Sequence, residues 1–278
     1  MPCAACPPPP AEAQAFTGAR KMKGKWIPNL ALRLMSGAVT PREAVAFLMW
    51  LANPGRTSLT IEGVHFQGVD RATWGLITGI ILNREYNPPG FEIGPRDVVI
   101  DIGAHRGVFL GHAAMQTKAR VVGIEPEADN FRILGLMVRR NLFNNVELIQ
   151  AAVAGASGES RLFRGLASSR HTLTGVDVFS GEALSASQAV RTISLDDLCQ
   201  DIPMVDFLKM DCEGAEHEII RSASDETLMK IRRLVMEVHE LASPVGSEPL
   251  LDRLAHSFSR LQYKMTSEHM GVLYAIRQ

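Results

Sequence analysis

The stretch Asp97-Val98-Val99-Ile100-Asp101-Ile102-Gly103-Ala104-His105-Arg106-Gly107 joins a β-branched run to a turn bracketed by two glycines. Apolar residues without alternation suit a strand covered on both faces of a parallel sheet. Gly103 and Gly107 let the backbone turn sharply and come close to a ligand, and the apolar residues from Val108 onward open a helix whose first N–H groups point back at it. A second apolar run, Val121 to Ile124, ends in Glu125, which stands 125 − 107 = 18 residues past the last glycine. A carboxylate at that distance accepts hydrogen bonds from both hydroxyls of a ribose. Strand, glycine turn, helix, strand and acid in this order describe a Rossmann-like nucleotide site.

The turn also indicates which nucleotide. The dinucleotide fingerprint needs a middle glycine so that the backbone can approach a pyrophosphate, and His105 stands in that place. Histidine still tolerates left-handed backbone, so the turn forms but a pyrophosphate is crowded. That favours S-adenosylmethionine, a single nucleoside with an amino-acid tail, over NAD. The expected cofactor contacts are Asp101, facing the methionine ammonium, Gly103, Ala104, His105, Gly107, Glu125 and Pro126. Ala152 joins them past the third strand, Val146 to Ile149, at the sheet edge where the adenine is received.

Several further blocks resemble one family: Asn130-Phe131, Ala151-Ala152-Val153, Ser194-Leu195-Asp196-Asp197, Leu208-Lys209-Met210-Asp211-Cys212-Glu213-Gly214-Ala215-Glu216 and Glu237-Val238-His239. With Asp101 to Ala104 and Glu125-Pro126 they are similar to the FkbM family of S-adenosylmethionine-dependent methyltransferases, over roughly residues 85 to 240. The Lys-x-Asp-x-Glu-Gly-Ala-Glu block is the most specific, and the family usually has Asn where this chain has His105. The resemblance implies a class I α/β fold with a seven-stranded, mostly parallel sheet, S-adenosylmethionine as cofactor, and methylation of a hydroxyl on a sugar or secondary metabolite. An NAD-dependent oxidoreductase and a non-catalytic cofactor-binding module are the alternatives.

A hydroxyl attacking a sulfonium must lose its proton to a nearby carboxylate or imidazole. The fourth strand, Val205 to Met210, ends in Asp211, and Glu213 follows at the start of a helix. The fifth, Leu234 to Val238, ends in His239, a residue type poised near neutral pH, with Glu237 on the same face to orient it. Asp211, Glu213 and His239 are the catalytic candidates; Glu213 could instead cap the helix. The three would also suffice for Mg²⁺ or Mn²⁺, but the resemblance implies no metal.

The segments on either side are less specific. Residues 1–25, with Pro7 to Pro10 and Arg20, Lys21, Lys23 and Lys25, read as a flexible tail without an apolar signal region. Residues 26–90 read as an accessory segment: a helix from the capping box Thr40-Pro41-Arg42-Glu43 to before Pro54, a hairpin turning at Glu62-Gly63, and a helix capped by Asp70. It either covers the cofactor or serves as a packing layer or homodimer arm. Residues 91–278 form the methyltransferase domain. Within them, 155–188 read as a long Gly/Ser-rich loop in which Arg170 and His171 are placed to meet substrate. Pro249 to Leu261 read as a helix, and Tyr263–Met265 with Val272–Ile276 as a terminal antiparallel hairpin.

With 29 basic and 30 acidic residues the chain has a net charge of −1, which steers it neither to nucleic acid nor to an anionic membrane. A small-molecule partner is expected. The four cysteines, Cys3, Cys6, Cys199 and Cys212, are too scattered for a disulfide framework and suit free thiols in the cytoplasm.

Overall fold

The computed structural model describes residues 30–277, apart from 32–33, 36, 38, 53–56, 166, 179, 240–246 and 268. The expected tail 1–25, with Cys3 and Cys6, and the stop at Pro54 lie outside the described residues.

The accessory segment begins with α1 (Pro41–Ala52), which starts at the expected capping box. Glu43 Oε2 accepts the Thr40 N–H at 2.8 Å, and Thr40 Oγ1 accepts that of Glu43 at 3.2 Å. The other Glu43 oxygen accepts the Gly63 N–H at 2.8 Å, which ties the helix to the turn between β1 (Ser58–Ile61) and β2 (Val64–Gln67). Both turn residues are left-handed (Glu62 φ 48, Gly63 φ 78), the type I′ geometry of tight hairpins. Asp70 caps α2 (Arg71–Leu76) by accepting the Thr73 N–H, and the helix widens into a buried π-helical turn over Ile77–Leu82.

The following strands and helices alternate: β3 (Val99–Ile102), α3 (Val108–Gln116), β4 (Val121–Ile124), α4 (Ala128–Arg140) and β5 (Val146–Ile149). After a small insertion come β10 (Phe207–Met210), α6 (Glu216–Ser222), α7 (Asp225–Met229), β11 (Arg233–His239), α8 (Glu248–Ala255), β12 (Arg260–Met265) and β13 (Met270–Ile276). The insertion holds β6 (Ala152–Ala154), β7 (Gly158–Arg164), β8 (His171–Thr172), β9 (Ser187–Ser194) and α5 (Leu195–Leu198).

The main sheet has the order β12-β13-β11-β10-β3-β4-β5, parallel from β11 to β5, with β13 antiparallel between β11 and β12. This is the expected seven-stranded α/β fold. Each central strand is buried on both faces because side chains alternate across the pleat. Val99, Val121, Phe207 and Val235 pack under the accessory segment, and Ile100, Ile102, Val122, Leu208, Met210 and Met236 fill the opposite core.

Two expectations differ. The region 155–188 is not one long loop, because β7 and β9 pair antiparallel and join β6 and β8 in a second sheet of order β6-β9-β7-β8. The helix expected to reach Leu261 stops at Ala255, where the chain turns so that Phe258 is buried and β12 begins at Arg260. Among the described residues, no helix is long and apolar enough to cross a membrane.

Candidate functional site

The site lies at the carboxyl ends of β3, β4 and β10, where the crevice of an open α/β sheet receives ligands. Its first wall is the turn after β3. Gly103 is left-handed (φ 73), and a Cβ there would come within 1.8 Å of the Asp211 carbonyl oxygen, so the turn packs directly on the end of β10. His105 is also left-handed (φ 51), the conformation its place in the turn required. Gly107, left-handed at the N-cap of α3, makes its close approach elsewhere: a Cβ would meet Met137 and Leu134 of α4.

Gly103, Ala104, His105, Glu125, Pro126 and Ala152 line one cleft together with Asp211 and Glu213. Leu76 and Ile80 from the accessory segment, and Ser168, Ser169 and His171 from the insertion, line it as well; Arg170 does not. The accessory segment thus contributes two side chains to the cleft wall, while Val45, Leu48 and Met49 of α1 stay exposed.

Asp101 is not in that wall. It is fully buried and sits opposite Lys209 in the register of β3 and β10, with Lys209 Nζ 3.0 Å from its Oδ1. Neighbouring parallel strands put both side chains on one face, so Asp101 meets the lysine inside the sheet. Lys209 also donates to the carbonyls of Ile102 (3.2 Å) and Gly103 (2.8 Å), which braces the glycine turn from below. Burial alone would lower the ammonium pKa, but Asp101 and Asp211 outweigh it and raise it.

Glu125 is buried at the end of β4, and its two oxygens accept the N–H groups of His105 (2.8 Å) and Glu127 (2.9 Å). Burial still pushes its carboxyl up to about 7 against those two bonds.

At the end of β10, Asp211 Oδ1 is buried without a hydrogen-bond partner, and Oδ2 lies 3.3 Å from the Tyr86 hydroxyl and 4.0 Å from Lys209 Nζ. Tyr86, fully buried after the π-helical turn, also forms a very short hydrogen bond with Glu237. One phenol hydrogen cannot serve two carboxyls. Burial and the charge of Asp211 raise Glu237 to about 8, so below that pH Glu237 donates to the phenol and the phenol hydrogen turns to Asp211.

Glu237 therefore does not orient His239. That imidazole is held at Nδ1 by Glu216 Oε1 (3.2 Å), and its Nε2 is 3.5 Å from Glu213 Oε2. Burial works against its charge, but Glu216 and Glu213 outweigh it and raise it to about 10; Glu216 correspondingly falls to about 2. His239 is an imidazolium at neutral pH, not the free base its position at a strand end suggested. Glu216, not Glu213, takes the helix-start role, accepting the N–H groups of Cys212 (2.9 Å) and Gly214 (3.0 Å). Glu213 is left-handed (φ 53) and points into the cleft wall, its carboxyl raised well above the ordinary range chiefly by burial. Asp211, Glu216 and His239 also converge within 4.8 Å, a grouping able to hold a metal ion, although Glu216 is already satisfied by backbone N–H groups and the imidazolium. His217 is half-buried with its ring 3.3 Å from the His239 carbonyl.

Residues 101–265 match the family model of the methyltransferase FkbM domain. The chain belongs to the FkbM methyltransferase family. The FkbM 31-O-demethyl-FK506 methyltransferase of Streptomyces tacrolimicus is 26% identical over 209 residues, covering 65% of this chain and 79% of that one. The AMB antimetabolite synthetase AmbE of Pseudomonas aeruginosa is 27% identical over 240 residues, or 73% of this chain, and the match spans only 11% of that protein. Among solved structures, Aeropyrum pernix fibrillarin with natively bound S-adenosyl-L-methionine aligns with a TM-score of 0.41 at 14% identity, covering 69% of this chain and 72% of that one.

S-adenosylmethionine is the cofactor of this FkbM domain, and the cleft fits it. Among the residues lining the cleft, Asp211 Oδ1 is a buried acceptor without a partner, His105 Nδ1 is a buried ring nitrogen without a partner, and Glu125 retains lone pairs beyond its two backbone bonds. S-adenosylmethionine brings the matching donors: an ammonium, a ribose diol and an exocyclic amine. Tyr86, Lys209 and Glu216 were not among the expected site residues. Lys209 and Glu216 stand at the two ends of the Lys-x-Asp-x-Glu-Gly-Ala-Glu block, and a lysine inside the apolar run Phe207–Met210 was a further signal, because a charge at such a place needs a buried partner.

Proposed function

We propose that this FkbM-family protein methylates the oxygen of a hydroxyl on a small molecule, a sugar or a secondary metabolite, with Asp211 as the base. The observation that carries the reading is Asp211 Oδ1: a buried carboxylate oxygen in the cleft wall, without a partner, anchored from behind through Tyr86 and Lys209. The name of the Streptomyces relative, a 31-O-demethyl-FK506 methyltransferase, supports an oxygen acceptor.

In this reading Glu125 holds the ribose, and Gly103, Ala104, His105, Pro126 and Ala152 enclose the rest of the cofactor. S-adenosylmethionine, when bound, supplies a methyl group on a positively charged sulfur. Asp211 would take the proton of the acceptor hydroxyl as the hydroxyl oxygen bonds to the methyl carbon that bound S-adenosylmethionine would supply, with S-adenosylhomocysteine as the leaving group. Glu213 orients the acceptor, and the His239–Glu216 ion pair holds Glu213 in place. Leu76 and Ile80 keep water from the cleft.

The test is incubation of the protein and methyl-labelled S-adenosylmethionine with a panel of polyols, macrolide alcohols, amines and carboxylic acids, with products located by NMR. Transfer to alcohols, abolished in Asp211→Asn while S-adenosylhomocysteine still binds, is the expected result. Transfer only to nitrogen or carboxylate oxygen overturns the reading.

A further inference from the structure

Ser168 belongs to the insertion, far in sequence from both walls of the cleft, yet its side chain joins them. Its hydroxyl donates to Asp70 Oδ2 at 2.9 Å, and Asp70 is a carboxylate whose oxygens are shared with Arg106 (2.7 Å) and the cap of α2. A hydroxyl has a single hydrogen. With that hydrogen on Asp70, the 3.1 Å contact between Ser168 Oγ and His105 Nε2 requires the ring to be the donor. His105 therefore carries its proton on Nε2, and Nδ1 presents a bare lone pair. That nitrogen is buried, has no hydrogen-bond partner, and belongs to a residue only 7% exposed that lines the cleft.

We propose that Asp70, Ser168 and His105 form a latch that sets the tautomer of His105, so that its Nδ1 accepts a hydrogen bond from a donor group of S-adenosylmethionine. The latch makes cofactor affinity depend on Asp70, a residue of the accessory segment, and on the insertion. Ser168, which also lines the cleft, acts in the latch as a positioning residue through its contact with His105. It also explains how histidine serves in a turn too tight for most side chains. Its ring gains a fixed donor on one side and a fixed acceptor on the other, and the buried acceptor is satisfied only when the cofactor arrives.

The latch can be cut without releasing the loop, because the Ser168 carbonyl is held separately by Asn130 Nδ2 at 2.8 Å. The experiment is calorimetric titration of the full chain with S-adenosylhomocysteine for wild type, Ser168→Ala and Ser168→Thr, together with nitrogen NMR of histidine-labelled protein. Wild type and Ser168→Thr should bind alike, Ser168→Ala about tenfold more weakly. The His105 signal should show the Nε2-protonated ring in the free wild type and a mixed population in Ser168→Ala. Equal binding by Ser168→Ala, or a proton on Nδ1 in the wild type, overturns the latch while leaving the cofactor site standing. A wild type that binds no S-adenosylhomocysteine overturns the cofactor site and the latch together.

Discussion

Lys209 and Asp101 face each other across the register of two central parallel strands, and their 3.0 Å ion pair is buried from water on every side. Removing one partner leaves the other as an uncompensated buried charge. Lys209→Met should lower the unfolding free energy by about 3–5 kcal/mol in urea titrations. The double variant Asp101→Asn/Lys209→Met should recover part of that loss. Recovery stays partial because the carbonyls of Ile102 and Gly103 also lose their donor. Additive losses in the two single variants and the double would show that the pair is not coupled.

Glu125 links cofactor affinity to pH. Burial keeps its carboxyl protonated up to about 7, whereas a ribose diol needs the ionised form as acceptor. Affinity for S-adenosylhomocysteine should therefore rise as pH increases through 7, approaching about tenfold per unit below it. Glu125→Gln should bind weakly with a flat profile. Calorimetry between mildly acidic and mildly alkaline pH reads both; a wild-type profile as flat as the variant's would remove Glu125 from the diol.

β3 and β4 were legible because they are short β-branched runs at the correct spacing, and the capping box and Asp70 mark helix starts by local chemistry alone. The insertion sheet was not. Gly158–Arg164 and Ser187–Ser194 are mostly exposed or half-buried, each with a single buried side chain, so no apolar pattern advertises them. The acids after β10 were identified as a group but not in their roles. Which glutamate starts the helix depends on the left-handed backbone at Glu213, and which carboxyl Tyr86 meets depends on a contact across 125 residues. Neither is written in neighbouring residues.

His239 makes stability fall at alkaline pH. Its folded pKa of about 10 lies above the ordinary 6.5, so between these values the folded chain keeps a proton that the unfolded chain has lost. Its contribution is complete below pH 6.5 and disappears as pH rises through 10. His239→Gln should cost about 3–5 kcal/mol at neutral pH by leaving Glu216 buried without its cation, and should lack this alkaline decline. Urea titrations of both proteins across that window decide it. A variant that loses stability in parallel with wild type would assign the decline to other groups.

Tyr86 couples Asp211 to a second carboxyl, and that coupling has a kinetic signature. Below about pH 8 Glu237 is protonated and donates to the phenol, whose hydrogen then occupies a lone pair of Asp211 Oδ2. Above that pH the phenol hydrogen returns to Glu237, and Asp211 is free to accept a proton. With a hydroxyl acceptor, kcat should climb through about 8 in the wild type. Asp211→Asn should lose roughly 10²–10⁴ in kcat, the range for removing a general base, with S-adenosylhomocysteine affinity retained. Tyr86→Phe should keep most of the rate but lose the rise near 8, because Glu237 no longer communicates with Asp211. Steady-state pH profiles of the three proteins separate the roles. A Tyr86→Phe profile that keeps the wild-type rise would place the titrating group elsewhere and leave Tyr86 as packing against Phe109, whose ring centroid is 5.9 Å from its own.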